Sequence, residues 1–195
     1  MLMIVALVLA AGRSRRMGSN KLLLAFGERT VLGQIISVLQ NCPLDAIIVV
    51  TGHERDKLEA ALGQAPPSLR FVYNPDYANG DMLASIQAGL AAMPADDQAA
   101  LVVLGDQPQI QKRVVEQVVA AHQPGQVVIP SYRRQGGHPI LIDRACWPDI
   151  LALPPGASLR AVWRAHPGWL RYLDVDTDSI LRDMDTPEDY ARMVE

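Results

Sequence analysis

Short apolar runs alternate along the chain with segments in which apolar residues recur every three or four positions. The runs are rich in Val, Ile and Leu, as in strands buried on both faces of a sheet, and cover residues 3–9, 46–51, 69–73, 99–104 and 126–130. The helical spacing occurs between them, in residues 31–39, 54–62, 81–93 and 111–122. The order of these segments predicts a repeating βαβα chain.

This order of elements predicts an α/β fold with three layers, αβα. Right-handed crossovers place successive strands in one mostly parallel sheet with helices on both faces. Ligands bind such sheets at the carboxyl ends of the strands. From about Tyr132 the pattern loosens, because glycine and proline interrupt shorter pieces. We expect a single domain over residues 1–195, with residues 131–195 as an elaboration of it.

The composition argues against several classes of binding partner. The chain has 195 residues and a formal net charge of -3, which argues against a general binder of nucleic acids or membrane surfaces. Cys42 and Cys146 lie far apart without C-x-x-C spacing, so we expect no disulfide framework or zinc site, and a cytoplasmic protein. The opening apolar run has no cation before it and is shorter than the roughly 20 residues of a membrane span. We expect it to be a buried strand.

The stretch LVLAAGRSRRMGSNK, residues 7–21, combines an apolar run, a turn of small residues and several cations. Leu9 ends the first predicted strand, and the following turn lets backbone amides approach a ligand closely. Amides together with nearby arginine and lysine side chains favour an anion. The spacing of Gly12, Gly18 and Lys21 excludes the G-x-G-x-x-G and Walker loops. A basic loop is, by itself, equally compatible with a solvated surface turn.

The string LAAGRSRRMGSNK resembles the nucleotidyltransferase signature L-A-A/G-G-x-S-x-R-M-G-x-x-K. The resemblance is to the molybdenum cofactor cytidylyltransferases and guanylyltransferases, whose fold is Rossmann-like and of the glycosyltransferase-A type. It implies that the loop surrounds a nucleoside triphosphate, with Arg16 and Lys21 as catalytic groups on the phosphates. Arg13 is a further expected phosphate contact. The matching nucleotide-binding positions are Leu9, Ala10, Ala11, Gly12, Arg16 and Lys21.

The stretch LVVLGDQPQI, residues 101–110, places Asp106 directly after an apolar run. A carboxylate at the end of a strand suits Mg²⁺, which prefers oxygen ligands and commonly binds through one or two carboxylates and substrate phosphates. An aspartate before a turn proline is also common turn chemistry. The resemblance favours the metal, because the family carries its metal-binding aspartate in a G-D-x-P element. Asp106 is therefore expected to be a catalytic metal ligand that also contacts the nucleotide.

The stretch RDMDTPEDY, residues 182–190, has the pattern of a helix start. Thr186 can cap the helix, with Pro187 at the first helical position and acidic residues in the first turn. This role leaves Asp183 and Asp185 unexplained. The string resembles the family's D-x-D-T-P-E-D element, in which the aspartate before the threonine approaches the metal. Asp185 is expected to be the second metal ligand.

Two further stretches resemble family elements less closely. NPDYANGDMLASI, from Asn74, resembles N-P-x-x-x-x-G-M-x-x-S-I, which helps hold the base; Asp81 interrupts the Gly-Met step, so Asn74, Gly80 and Ser85 are the expected nucleotide contacts. GGHPIL, residues 136–141, resembles the acceptor-side G-x-P loop. It implies acceptor contacts from Gly137, His138 and Pro139. A later G-D-x-G-A-R element is matched only loosely by PPGASLRAVW, which lacks the aspartate.

The resemblance implies direct transfer of a nucleoside monophosphate to a phosphate of molybdopterin, with Mg²⁺ and without a side-chain nucleophile. Residues 1–130 would bind the nucleotide, and residues 131–195 would bind the acceptor and complete the metal site. The Ala-Ala-Gly form accompanies cytidine transfer and leaves less room for a purine, so CTP is preferred. Alternatives are a GTP-dependent guanylyltransferase, a sugar- or alcohol-phosphate nucleotidyltransferase, and an accessory protein without turnover that delivers cofactor to a molybdoenzyme.

Overall fold

The computed structural model describes residues 3–78 and 81–194. Within these residues the strands are β1 (Ile4–Ala10), β2 (Ala25–Phe26), β3 (Arg29–Thr30), β4 (Ala46–Thr51), β5 (Leu69–Tyr73), β6 (Ala99–Leu104), β7 (Val127–Tyr132), β8 (Gln135–Gly136), β9 (Ile140–Asp143) and β10 (Leu170–Asp174). The α-helices are α1 (Val31–Leu39), α2 (Arg55–Leu62), α3 (Met82–Ala91), α4 (Lys112–Ala120), α5 (Trp147–Leu151), α6 (Leu159–Ala165) and α7 (Pro187–Val194).

Eight strands form one twisted mixed sheet in the order β10-β7-β9-β6-β1-β4-β5, with β8 paired to β7. Strand β1 lies at its centre and pairs in parallel with β4 and β6. Only β8 and β9 run antiparallel to their neighbours in this sheet. The predicted α/β fold with a mostly parallel sheet is confirmed, and the carboxyl ends of β1, β4, β6 and β7 share one edge.

The sheet separates two hydrophobic layers, because successive side chains of a strand point to opposite faces. On one face Ile4, Ala6 and Val8 of β1 pack with buried residues of α1 and α4. On the other face Val5 and Leu7 pack with α3, α5 and α6. Both faces of the central strands are therefore covered, which explains their continuous apolar sequence.

Residues 131–194 continue the same sheet. Strand β9 inserts between β6 and β7, and β10 pairs in parallel with β7 at the sheet edge. The pattern of residues 131–195 predicts no strand, because glycine and proline interrupt it and β9 has only four residues. No helix in the described part of the chain is long and apolar enough to cross a membrane.

Candidate active site

A cleft of about 620 Å³ opens at the edge where β1 and β6 end. Its walls come from the loop after β1, the turn after β5, the start of α3, the loop after β6 and the segment before α7. We call residues 11–20, which follow β1, the β1 loop. This position at the carboxyl edge of a mostly parallel sheet is where ligands of such folds bind.

An ion-pair cluster occupies one end of the cleft. The Lys21 ammonium lies 2.6 Å from Asp106 Oδ2 and 3.0 Å from Asp185 Oδ1. The Arg16 guanidinium lies 2.8 Å from Asp185 Oδ2. The side chains of Lys21 and Asp106 are only 14% and 21% exposed, so their attraction is less screened than that of a surface pair. The structure thus brings together four residues that the sequence singled out.

Local contacts hold Lys21 in this position. Lys21 begins a short 3-10 helix, and Asn20 caps it by accepting a hydrogen bond from the Leu22 amide at 3.2 Å. The Ser14 hydroxyl accepts a hydrogen bond from the Lys21 amide at 3.2 Å. Leu22 is buried in the core layer on the α1 side of the sheet. The lysine therefore extends from an anchored turn, although most of the β1 loop before it is exposed.

Asp106 reaches the cluster because Gly105 lets the ends of β1 and β6 approach each other. The Gly105 amide donates a hydrogen bond to the Leu9 carbonyl at 3.1 Å. A Cβ atom on residue 105 would lie only 2.5 Å from that same oxygen. Any side chain there would force the ends of the two strands apart. Steric hindrance therefore explains why the G-D-x-P element begins with glycine.

Asp185 is placed by the start of α7. The Asp106 carbonyl accepts a hydrogen bond from the Met184 amide at 3.0 Å, and Met184 is fully buried. Thr186 caps the helix by accepting from the Asp189 amide at 3.2 Å, which confirms the predicted helix start. Asp189 Oδ2 accepts in return from the amides of Asp185 and Thr186, at 3.1 and 2.9 Å. Hydrogen bonding from Lys21 lowers the pKa of Asp185, so this carboxylate is charged.

Asp183 and Gln107 are additional polar residues beside the cluster. The Gln107 amide donates to Asp183 Oδ1 at 2.8 Å and to the Ile180 carbonyl at 3.3 Å. Burial raises the pKa of Asp183, and the nearby charges of Asp106 and Asp185 raise it further. Asp183 lines the cleft. The sequence left Asp183 unexplained and gave Gln107 no role, although both stand inside the two acidic motifs.

Some of the other predicted nucleotide contacts line the cleft, whereas others are buried behind its wall. Leu9, Ala11, Gly12, Arg13 and Ser85 line the cleft. The side chain of Ala10 instead faces the core, because it lies on the same face of β1 as Val8. Asn74 is buried behind the wall, where its amide donates to the Ser85 hydroxyl at 3.1 Å. Gly80 lies outside the described residues.

The predicted acceptor loop, Gly137 to Pro139, packs beside the cleft against the segment before α7. The Gly137 amide donates to the Pro130 carbonyl at 2.9 Å, and a Cβ on residue 137 would overlap the Ile180 carbonyl oxygen. The His138 amide donates to that oxygen at 3.0 Å. Burial lowers the pKa of His138 to about 4 against the opposing effect of Asp106, so the imidazole is neutral near pH 7. These three residues are not part of the wall of the main cleft.

The donor set fits a divalent ion that takes most of its ligands from a substrate. The described residues contain no group of three or more His, Cys, Asp and Glu side chains that could hold a metal by themselves. Asp106 and Asp185 nevertheless share one cation, the Lys21 ammonium, so both carboxylates can face a single positive charge. Mg²⁺ commonly binds through one or two carboxylates together with substrate phosphates.

A mostly parallel sheet whose carboxyl edge carries a cationic loop and two facing carboxylates is typical of α/β proteins that bind phosphorylated ligands. The sequence model of the MobA-like NTP transferase domain matches residues 6–169. The chain belongs to this family of nucleotidyltransferases, which confirms the family inferred from the β1 loop motif.

Similar proteins from other organisms carry different names. The chain is 27% identical over 185 residues to a molybdenum cofactor cytidylyltransferase of Escherichia coli, covering 94% of this chain and 92% of that protein. It is 28% identical over 195 residues to the purine catabolism protein PucB of Bacillus subtilis, with coverages of 96% and 94%. The crystal structure of Rv0371C of Mycobacterium tuberculosis with manganese has a TM-score of 0.80 at 27% identity, covering 99% of this chain and 98% of that one.

Proposed function

We propose that this protein transfers CMP from CTP to the terminal phosphate of a molybdopterin-type acceptor and releases pyrophosphate. The observation that carries the proposal is the contact of Lys21 with both Asp106 and Asp185 in a cleft at the carboxyl edge of the sheet. The similarity to the cytidylyltransferase of Escherichia coli along 94% of the chain supports this acceptor.

The cleft suits a reaction in which two anions must meet. Amides of the β1 loop, with Arg13, Arg16 and Lys21, would bind the triphosphate and reduce its charge. An oxygen of the acceptor phosphate would attack the α-phosphorus, and the bond from that phosphorus to its bridging oxygen would break. The electron pair leaves with pyrophosphate, which the same cations stabilise. Positioning and electrostatics supply the rate enhancement, so no side-chain nucleophile is required.

Mg²⁺ would be held by Asp106 and Asp185 and would neutralise charge on the phosphate oxygens. The manganese in the crystal structure of Rv0371C supports a divalent ion in this family. Arg16 would orient the Asp185 carboxylate through the nitrogen that lies 2.8 Å from it, and its remaining N–H donors would bind phosphate. Asp183, held by Gln107, would remain beside the cluster as a further acid.

The choice of CTP rests on the size of the β1 loop residues. Ala11 lines the cleft and carries a methyl group where glycine would leave open space. A pyrimidine needs less room there than a purine.

A second candidate keeps the reaction and changes the substrates. The similarity to PucB, which is named a purine catabolism protein, over 96% of the chain is the observation that favours a different acceptor. A GTP-dependent guanylyltransferase and a sugar- or alcohol-phosphate nucleotidyltransferase belong to this candidate. A third candidate is an accessory protein without turnover that delivers cofactor to a partner enzyme. An accessory protein would bind nucleotide without releasing pyrophosphate with any acceptor.

The decisive experiment measures pyrophosphate release with purified molybdopterin, Mg²⁺ and each of the four nucleoside triphosphates. We expect release with CTP, and a larger increase in melting temperature with CTP than with GTP. Asp106→Asn should lower the rate by about 100-fold or more without unfolding the protein. Asp96→Asn, at an exposed position in the turn before β6 and therefore at the opposite end of that strand from Asp106, is the matched control. Normal turnover by Asp106→Asn would contradict the metal site, and equal stabilisation by both nucleotides would contradict the base.

A further inference from the structure

Tyr77, in the turn after β5, lies where the loops after β1 and β4 meet. Gly52 follows β4 directly, and a Cβ atom on it would overlap Tyr77 Cβ and lie 2.9 Å from the Ala11 carbonyl oxygen. The His53 amide donates to that oxygen at 3.3 Å. Gly52 therefore allows Tyr77 to pack directly against the backbone just after β4, which is itself hydrogen-bonded to the beginning of the β1 loop.

The cations of the β1 loop do not all have the same partners. Arg16 and Lys21 contact carboxylates. Arg13 has no ion pair within the part of the chain that the structure describes, and its guanidinium lies over the ring of Tyr77, 5.5 Å from the ring centroid. Both Arg13 and Tyr77 line the cleft. The edge of this guanidinium, with its N–H donors, is therefore available to a ligand.

The turn that carries Tyr77 is itself fixed to the sheet. The backbone amide of Asn74 donates to the Thr51 carbonyl at 2.8 Å. The side-chain oxygen Oδ1 of Asn74 accepts from the backbone amide of Asp76 at 3.0 Å. The Tyr77 amide donates to the Asn74 carbonyl at 3.4 Å. The ring is thus supported from β4 and β5, whereas Arg13 extends from an exposed loop.

We propose that Tyr77 is a positioning residue: its ring holds the Arg13 guanidinium at the wall of the cleft, ready for the polyphosphate of the nucleotide. This role rests on the proposed function, because it assigns Arg13 to phosphate. A cation over an aromatic face keeps its N–H donors free at the edge, and prior ordering of a long side chain lowers the entropic cost of binding. Tyr77 acts on the charged part of the ligand, so its effect is the same for every base.

The first test uses ligand-free protein and measures amide hydrogen exchange in residues 12–16. Tyr77→Leu should accelerate exchange there, because the loop loses its aromatic support. Tyr77→Phe should leave it unchanged, because the ring face makes the contact. Tyr172→Leu, at a tyrosine that is 60% exposed on β10, controls for the substitution itself. Equal exchange in Tyr77→Leu and wild type would overturn the proposal, whatever the substrate is.

The second test measures binding of inorganic triphosphate, CTP and GTP by calorimetry, and kcat and KM with the preferred nucleotide. Tyr77→Leu should weaken binding of all three ligands by the same factor, about 3- to 30-fold, and raise KM with little change in kcat. Tyr77→Phe should restore both values. Tyr77→Leu combined with Arg13→Gln should bind no more weakly than Arg13→Gln alone.

The outcomes separate the two proposals. Additive losses in the double variant, or a loss with CTP but not with inorganic triphosphate, would overturn the positioning role. Failure of the wild-type protein to bind any nucleoside triphosphate would overturn the proposed function. The exchange experiment then still decides whether Tyr77 orders the β1 loop.

Discussion

Lys21 links two carboxylates of the cleft. Its ammonium contacts Asp106 and Asp185, whose like charges would otherwise repel each other. A divalent ion between the same carboxylates would compete with this ammonium for their oxygens. In the proposed reaction the lysine would therefore change partners, from the two carboxylates to the phosphates of the nucleotide.

Lys21→Met should separate these two contributions. Without the competing ammonium, the nucleotide-free protein should bind Mn²⁺ more tightly, by about 10-fold, because one positive charge near the ion is removed. Binding of nucleoside triphosphate should become weaker. Electron paramagnetic resonance of free Mn²⁺ measures the first effect, and calorimetry the second. Lys57→Met, at a surface lysine paired with Glu54, is the control. Unchanged Mn²⁺ affinity would show that Lys21 does not share the ion's position.

The sequence predicts the ionic residues of the cleft but not the residues that support them. Lys21, Asp106 and Asp185 stand in motifs whose residue types suggest their chemistry. Tyr77 and Gly52 carry no such signal, because their importance arises from contacts between loops that follow different strands. A tyrosine in a turn and a glycine after a strand are common in any α/β protein.

Among the elements, the start of α7 connects helix capping to the cleft. Asp189 Oδ2 accepts hydrogen bonds from both amides that precede the helix, and one of these belongs to Asp185. Hydrogen bonding from Thr186 lowers the pKa of Asp189 below its ordinary value of 3.8. A carboxyl group whose pKa is lowered by folding stabilises the folded protein at any pH above its ordinary pKa. This contribution is lost as the pH falls through the pKa of the folded state.

Asp189→Asn should therefore make the protein less sensitive to acid. Between about pH 5 and about pH 3, its free energy of unfolding should fall less than that of the wild-type protein. Urea unfolding at a series of pH values measures this difference. Glu188→Gln, at the neighbouring exposed position, provides the comparison. The same acid sensitivity in Asp189→Asn and the wild-type protein would mean that the carboxylate at position 189 does not hold the helix start.

The elements of the first half could be predicted closely from the sequence. The strands at 46–51, 69–73 and 99–104 and the helix at 31–39 have the predicted bounds. Burial on both faces makes these strands continuously apolar, and Thr30 caps α1 by accepting from the Gly33 amide at 3.0 Å. In the second half β9 is only four residues long and α5 five, which is too short for periodicity to be recognised.

For the whole molecule, stability comes from the two layers that cover the central sheet. Leu101 lies in the middle of β6, is fully buried and packs in the layer with α1 and α4. Leu101→Ala should lower the free energy of unfolding by about 2–5 kcal/mol, because it removes buried apolar surface and leaves a cavity. Leu151→Ala, at a leucine that is 43% exposed, should change it by less than about 0.5 kcal/mol. Chemical denaturation of both variants provides the measurement, and equal effects would contradict this account of the core.

Local sequence determined the alternation of strands and helices, the cationic loop after the first strand and the cap of the last helix. Each of these depends on residues within a few positions of one another, through side-chain periodicity, turn chemistry and capping. Tertiary structure alone decided that Lys21 meets Asp185, 164 positions away, that β9 enters the sheet between β6 and β7, and that Tyr77 supports Arg13. These contacts follow from the order of strands in the sheet and from packing between loops, which bring distant parts of the chain to one edge.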